Sequence, residues 1–94
     1  MGEVIDKAVD RLGARLKGYE GTAKFVMTGE GTIIADSNGV REGDGPADVT
    51  LTASVEDFRA LLEGRLKPAS AFMSGRLKVD GSMPAAMKLG AALA

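Results

Sequence analysis

Histidine, cysteine and tryptophan are all absent from this chain of 94 residues, and aromatic side chains make up only 4% of it. Without cysteine there is no disulfide, no thiol nucleophile and no thiolate metal site, which leaves the redox compartment undetermined. Without histidine the usual catalytic triads and the usual zinc or haem ligation lack their parts. The aromatics are Tyr19, Phe25, Phe58 and Phe72. Single-stranded nucleic acid needs a stacking platform on a basic groove, and most of these four fall at core positions. A net charge of −1 and a pI near 5.3 add no attraction to phosphate backbones, so no nucleic-acid partner is expected. Long apolar runs are missing too. From Met83 to Ala94 the one charge is Lys88, yet such a helix reaches only about 18 Å, short of the roughly 30 Å of a bilayer core.

Short motifs supply no chemistry. Ser74 lacks the Gly-x-Ser-x-Gly elbow of a hydrolase nucleophile and reads as a helix-end residue. Glu56 and Asp57 stand at a helix start, where they favour the dipole. Gly29 and Gly31 begin a dinucleotide fingerprint, but Ile34 occupies the place of its third glycine. Asp36 to Gly39 faintly echoes a calcium loop, with Ala47 where the bidentate Glu is required. No enzymatic activity, cofactor or metal is therefore expected. The start, Met1 to Lys7, has acidic residues and no apolar core, Asp6 replaces the Ser or Thr of a myristoylation signal, and Ala92-Leu93-Ala94 is not a peroxisomal address. A cytoplasmic protein is the expectation.

With 45% hydrophobic and 27% charged residues the chain is of the globular class. Its length suits one domain over residues 1–94, with a small core. Val4, Ile5, Ala8, Val9, Leu12 and Leu16 form one stripe of an amphipathic helix, which Lys17 to Gly21 breaks. Ala23, Phe25 and Met27 alternate against Lys24 and Thr28 as a half-buried strand. Thr32 to Asp36 predicts a second strand, in which one of Ile33 and Ile34 points inward, the pattern not deciding which. Ser37-Asn38-Gly39 predicts a hairpin whose Asn-Gly pair takes positive φ, followed by a short strand at Val40 to Glu42. Asp48 to Ala53 predicts a fourth strand.

Ser54 and Asp57 make a weak capping box for a helix that buries Phe58, Leu61 and Leu62 and stops at Gly64. Pro68 opens a short helix ended by Gly75, Arg76 to Asp80 alternates as a strand with Leu77 and Val79 inward, and Ser82 caps the final helix. No internal repeat is apparent. The sum is an α+β layer fold, a five-stranded, largely antiparallel or mixed sheet with helices on one face. The final helix lacks a charged face. It is therefore core packing, a cover over an apolar ligand, or a self-association surface.

One set of blocks carries a family resemblance. In order they are Asp48-Val-Thr-Leu-Thr, Asp57-Phe-Arg-Ala-Leu-Leu-Glu-Gly64-Arg-Leu-Lys-Pro68, Ala71-Phe-Met-Ser-Gly75-Arg-Leu-Lys-Val79-Asp-Gly81 and Ala86-Met-Lys-Leu89. Together they resemble the sterol carrier protein-2 lipid-binding domains, strongly over the second half of the chain and in outline over the first. The resemblance implies an apolar tunnel between sheet and helices that holds a fatty acid, an acyl-CoA or a similar lipid. Carried over residue by residue, it implies a lining of Phe58, Leu62, Leu66, Phe72, Met73, Leu77, Val79, Met83 and Met87. Ala85, Pro84 and a short first strand pair depart from the family pattern; the short pair argues against sterol, and the smaller side chains suit a wider tunnel or a surface where a second copy docks. Unbranched methionines can reshape around differing chains. The expected partner is thus an apolar small-molecule lipid, with a transient anionic membrane surface or a lipid enzyme as recipient. Two rival expectations are an accessory subunit that presents a lipid to an enzyme and a self-associating module that forms a homodimer.

Overall fold

The computed structural model describes residues 3–17 and 19–93. Met1, Gly2, Gly18 and Ala94, which enter the readings of the N-terminus, the first breaker and the last helix, lie outside the described residues. The order is α1 (Glu3–Arg15), β1 (Ala23–Met27), β2 (Gly31–Asp36), β3 (Gly39–Glu42), β4 (Val49–Ala53), α2 (Val55–Leu62), α3 (Pro68–Met73), β5 (Lys78–Gly81) and α4 (Met83–Leu93). Side-chain alternation decides the strands. Ala23, Phe25 and Met27 are buried while Lys24 and Val26 are only partly so, and Val49, Leu51 and Ala53 repeat the pattern.

The sheet runs β3-β2-β1-β4-β5, with β1 and β4 parallel and every other pair antiparallel. That one parallel pair has a topological cost. The chain must pass from β3 at the edge over β2 and β1 to reach β4, about 14 Å sideways at ordinary strand spacing. The link from Gly43 to Asp48 makes this crossing on the face away from the helices. Lys24 projects from that face, and its Nζ meets Asp44 Oδ1 of the link at 2.8 Å. Ile34, paired with Lys24, points the same way and is only 5% exposed, whereas Ile33 opposite Phe25 faces the helices. Both isoleucines are therefore buried, on opposite sides of one strand.

The helices cover the other face. Ile5, Ala8 and Leu12 of α1, Phe58, Leu61 and Leu62 of α2, and Leu89 and Leu93 of α4 join the inward strand residues in one core. At its centre Phe25 and Phe58 meet edge to face, centroids 6.1 Å apart at 71°, the geometry favoured by ring quadrupoles. Caps follow the sequence. Ser54 Oγ accepts from Asp57 N at 3.1 Å, and Ser82 Oγ accepts from Ala85 N at 3.4 Å. The β2–β3 hairpin differs from the expectation. Asn38 keeps negative φ, and Gly39 alone takes the positive value of 122°. The Asp36 carboxylate accepts from Asn38 N at 2.9 Å, so an Asx turn replaces positive φ at Asn38.

Two consequences are testable. A Cβ on Gly81, at φ 106°, would stand 2.3 Å from Asp48 O across the β4–β5 pair. Gly81→Ala should destabilise the protein by about 1–3 kcal/mol from backbone strain, more once the clash is added, measured as a lower urea midpoint with an unchanged slope. The second concerns acid. Hydrogen bonds from Arg41, then from Asn38 N, hold the Asp36 carboxyl below its ordinary value of 3.8, and Lys24 does the same for Asp44. Such groups contribute stability that is fully present above the unfolded value and lost as pH falls through the lower folded one. Carboxyl NMR titration should give midpoints below 3.8 for both, and Asp36→Asn should flatten the acid limb of the stability curve.

Candidate functional site

Two helix ends with the same wording build the site. Ala60-Leu-Leu-Glu-Gly64-Arg-Leu-Lys67 and Ala71-Phe-Met-Ser-Gly75-Arg-Leu-Lys78 share Ala, Gly, Arg, Leu and Lys at matching places. This is an internal repeat that sequence reading overlooked, because the residues between are not alike. In each copy the glycine takes positive φ, 80° at Gly64 and 79° at Gly75. In each the next two amides return to the alanine carbonyl: Arg65 N and Leu66 N to Ala60 O at 2.9 and 3.1 Å, Arg76 N and Leu77 N to Ala71 O at 2.9 and 3.1 Å. Glycine-terminated helices close this way because αL geometry turns the chain back over its last carbonyls. The leucine after each turn is thrown inward, and Leu66 and Leu77 both reach the wall of one cavity.

That cavity has a volume of about 610 Å³. Leu51, Leu77 and Val79 of the sheet side form its floor, Leu61 and Leu66 one wall, and Pro68 and Phe72 of α3 another. Its roof is α4. There Ala86, Gly90 and Ala91 present almost no side chain, so the helix covers the space without filling it. A Cβ on Gly90 would come no nearer than 3.9 Å to Pro68 Cβ, so α4 rests on α3 through small atoms.

The inner end of the cavity is Arg15. Its guanidinium, half-buried, donates through Nη1 to Leu93 O and through Nη2 to Leu62 O, the last residues of α4 and α2. The outer end is open. Phe72, Met83 and Met87 line it and are exposed, Met87 to 73%. Among the described residues, the titratable groups on the wall are Arg15 and Lys67, both cations. The wall is mostly apolar and offers chiefly desolvation and shape.

Of the nine side chains expected to line a lipid site, the structure brings Leu66, Phe72, Leu77, Val79, Met83 and Met87 to this cavity. It places three elsewhere. Phe58 lies one helical turn before Leu61 and Leu62, which carries it away from the cavity and onto Phe25. Leu62 turns instead to a charged recess of about 520 Å³ between α1 and α2, beside Lys7, Arg11, Arg59 and Glu63. Met73, the last residue of α3, faces solvent at 84% exposure. Arg15, Leu51 and Leu61 were not foreseen as lining. Arg15 carried no local signal, since on its own helix it is one more charge of the polar face.

The model of the SCP-2 sterol transfer family matches residues 3–94. The chain belongs to that family. Human sterol carrier protein 2 is 42% identical over 64 residues, 68% of this chain and 11% of that protein. Hydroxysteroid dehydrogenase-like protein 2 of Xenopus laevis is 37% identical over 95 residues, covering 93% of this chain and 22% of that protein. The chain thus spans between 11% and 22% of the length of these curated relatives. Among solved structures, sterol carrier protein domain 2 of Helicoverpa armigera superimposes with a TM-score of 0.78 at 29% identity, over 96% of this chain and 85% of that one. The sterol carrier protein-2 of Aedes aegypti, solved in complex with palmitate, has a TM-score of 0.81 at 24% identity over 100% and 97% of the two chains. Its fold is this fold: the five-stranded mixed sheet with helices on one face is that of the family.

The Arg15 joint can be tested directly. Hydrogen bonds to charged groups contribute about 1.5–3 kcal/mol each when shielded, and partial exposure reduces this. Arg15→Met, which keeps the length of the stem, should lower stability by about 2–3 kcal/mol and speed hydrogen exchange at the C-terminal turns of α2 and α4 together. Faster exchange in α1 alone would show that the joint does not hold the other two helices.

Proposed function

We propose that the chain is a non-catalytic carrier that binds an apolar single-chain lipid, a fatty acid or fatty acyl thioester, in the cavity beneath α4. The observation that carries this reading is the cavity itself, about 610 Å³ walled by aliphatic, methionine and phenylalanine side chains and roofed by Ala86, Gly90 and Ala91. Its size lies within the roughly 300–1,000 Å³ of ordinary ligand sites. Membership of the SCP-2 family and the palmitate held by the Aedes aegypti relative support it.

Affinity of the right order follows from simple terms. Each buried methylene is worth about 0.8 kcal/mol before the costs of binding. At about −0.3 kcal/mol per heavy atom, a ligand of about twenty heavy atoms gains about −6 kcal/mol, a Kd of tens of micromolar. A carrier must release what it holds, and weak, undirected binding suits that task. Nothing on the wall needs a particular head group, so chain length rather than head-group identity sets the preference.

The test uses volume. Ala86 lies on the roof and is only partly buried, so a larger side chain there enters the cavity without cutting the core. Ala86→Phe should exclude about two methylenes of the ligand and weaken palmitate binding by about 1.6 kcal/mol, roughly fifteenfold. Met73→Ala, off the cavity, should bind as the parent does. Isothermal titration or displacement of a fluorescent fatty acid reads both. Equal affinity of the Ala86→Phe variant and the parent, with both folded, would remove the cavity as the binding site.

A further inference from the structure

With no cysteine, histidine or tryptophan in the chain, thioethers are its most readily oxidised side chains. The four methionines among the described residues stand in three different settings. Met27 lies in the core at 4% exposure, and Met73 is bare to solvent at the end of α3, off the cavity wall. Met83 and Met87 are 56% and 73% exposed and line the open end of the cavity. Four residues apart on α4, these two share one helix face. They supply the only sulfur atoms on the cavity wall among the described residues.

From this placement, sulfur open to solvent on one side and to the cavity on the other, we infer that Met83 and Met87 are a modification site for hydrogen peroxide whose oxidation to the sulfoxide weakens lipid binding. The inference rests on the carrier reading, since it concerns the same cavity. In the step, a lone pair of the thioether sulfur attacks one peroxide oxygen, and the S–O bond forms as the O–O bond breaks. The departing hydroxide takes the proton from the transferred oxygen and leaves as water. Sulfur loses two electrons and peroxide gains them. A flexible apolar side chain thereby becomes a polar one. In the empty protein water solvates the new oxygen, because both side chains are exposed and neither belongs to the buried core. A lipid chain lying along the cavity's open end strips that water. The wall returns little in exchange: of its titratable donors, Arg15 is already engaged with Leu62 O and Leu93 O at the inner end, which leaves the exposed Lys67. Desolvating a polar group without a new partner opposes binding. The other two methionines serve as internal references, Met27 shielded from peroxide by burial and Met73 reached by it without touching the cavity.

Graded hydrogen peroxide treatment, read by peptide mass mapping and by palmitate titration of the same samples, tests the site. Sulfoxide should appear at Met73, Met83 and Met87 and not at Met27, with the thermal midpoint unchanged. Palmitate affinity should fall about tenfold once Met83 and Met87 are both oxidised. The loss should follow the sulfoxide fraction at those two positions, and methionine sulfoxide reductase should reverse it. Met73→Leu should lose affinity under peroxide as the parent does. Met83→Leu with Met87→Leu, whatever its starting affinity, should bind equally before and after peroxide. The graded series on the parent needs no substitution, so it decides the matter even where the double variant does not fold. Absence of sulfoxide at Met83 and Met87 while Met73 is oxidised overturns the inference. So does an equal loss in the double leucine variant, or a loss that comes with a lower thermal midpoint, since the cause is then another side chain or unfolding. An untreated parent that takes up no palmitate removes the carrier reading and this inference with it, whereas uptake that both sulfoxides leave unchanged overturns the inference alone.

Discussion

The guanidinium of Arg15 is the joint on which the helical layer closes. Carbonyls in the last turn of a helix have no partner within it and carry the negative end of the dipole. Arg15, in the last turn of α1, answers that need in two neighbours at once, at Leu62 of α2 and Leu93 of α4. One cation thereby gathers three helix ends to a point. The consequence is asymmetry. The opposite end of α4, at Met83, is exposed and lies on the rim of the apolar cavity.

The cavity exists because two demands on α4 are met by different residues. Leu89 and Leu93 enter the core and anchor the helix by burial. Ala86, Gly90 and Ala91, on the side facing α3 and the sheet, are too small to reach the floor formed by Leu51, Leu77 and Val79. A helix held at a fixed height by two leucines, with small residues between it and the sheet, must leave a volume. The paired turns after Gly64 and Gly75 complete the enclosure, since the same hydrogen bonds drive Leu66 and Leu77 toward it from two sides.

On the proposed carrier reading, such a space binds by excluding water and selects by length and width. Binding that depends on no single polar contact is easily reversed, whereas convergent polar groups fix a ligand's orientation. Charge is unevenly divided along the chain. Residues 64–93 carry mostly cations and residues 1–63 mostly carboxylates.

Much of this was legible in the chain. Alternation placed β1 and β4 but began β5 two residues early, since Arg76 and Leu77 belong to the turn after Gly75; helical spacing placed α1, and Ser54, Gly64, Pro68, Gly75 and Ser82 marked where helices begin and end, because caps and αL turns are decided within a few residues. The ordered blocks of the second half pointed to the family. What the sequence could not express were relations between segments. Ile33 and Ile34 alternate in neither direction, and only the crossing of Gly43 to Asp48 over the outer face explains why both are buried. Phe58 and Leu62 share the apolar stripe of α2 with Leu61, but the placement of α1 and α4 alone decides that Leu61 meets the cavity and the other two do not. Arg15 looked like one more solvated charge until three helix ends converged on it. Local backbone and side-chain preferences were thus determined by the sequence itself, whereas the cavity, its joint and its mouth were decided by the tertiary structure, because an enclosed volume is a property of surfaces that meet only after the chain has folded.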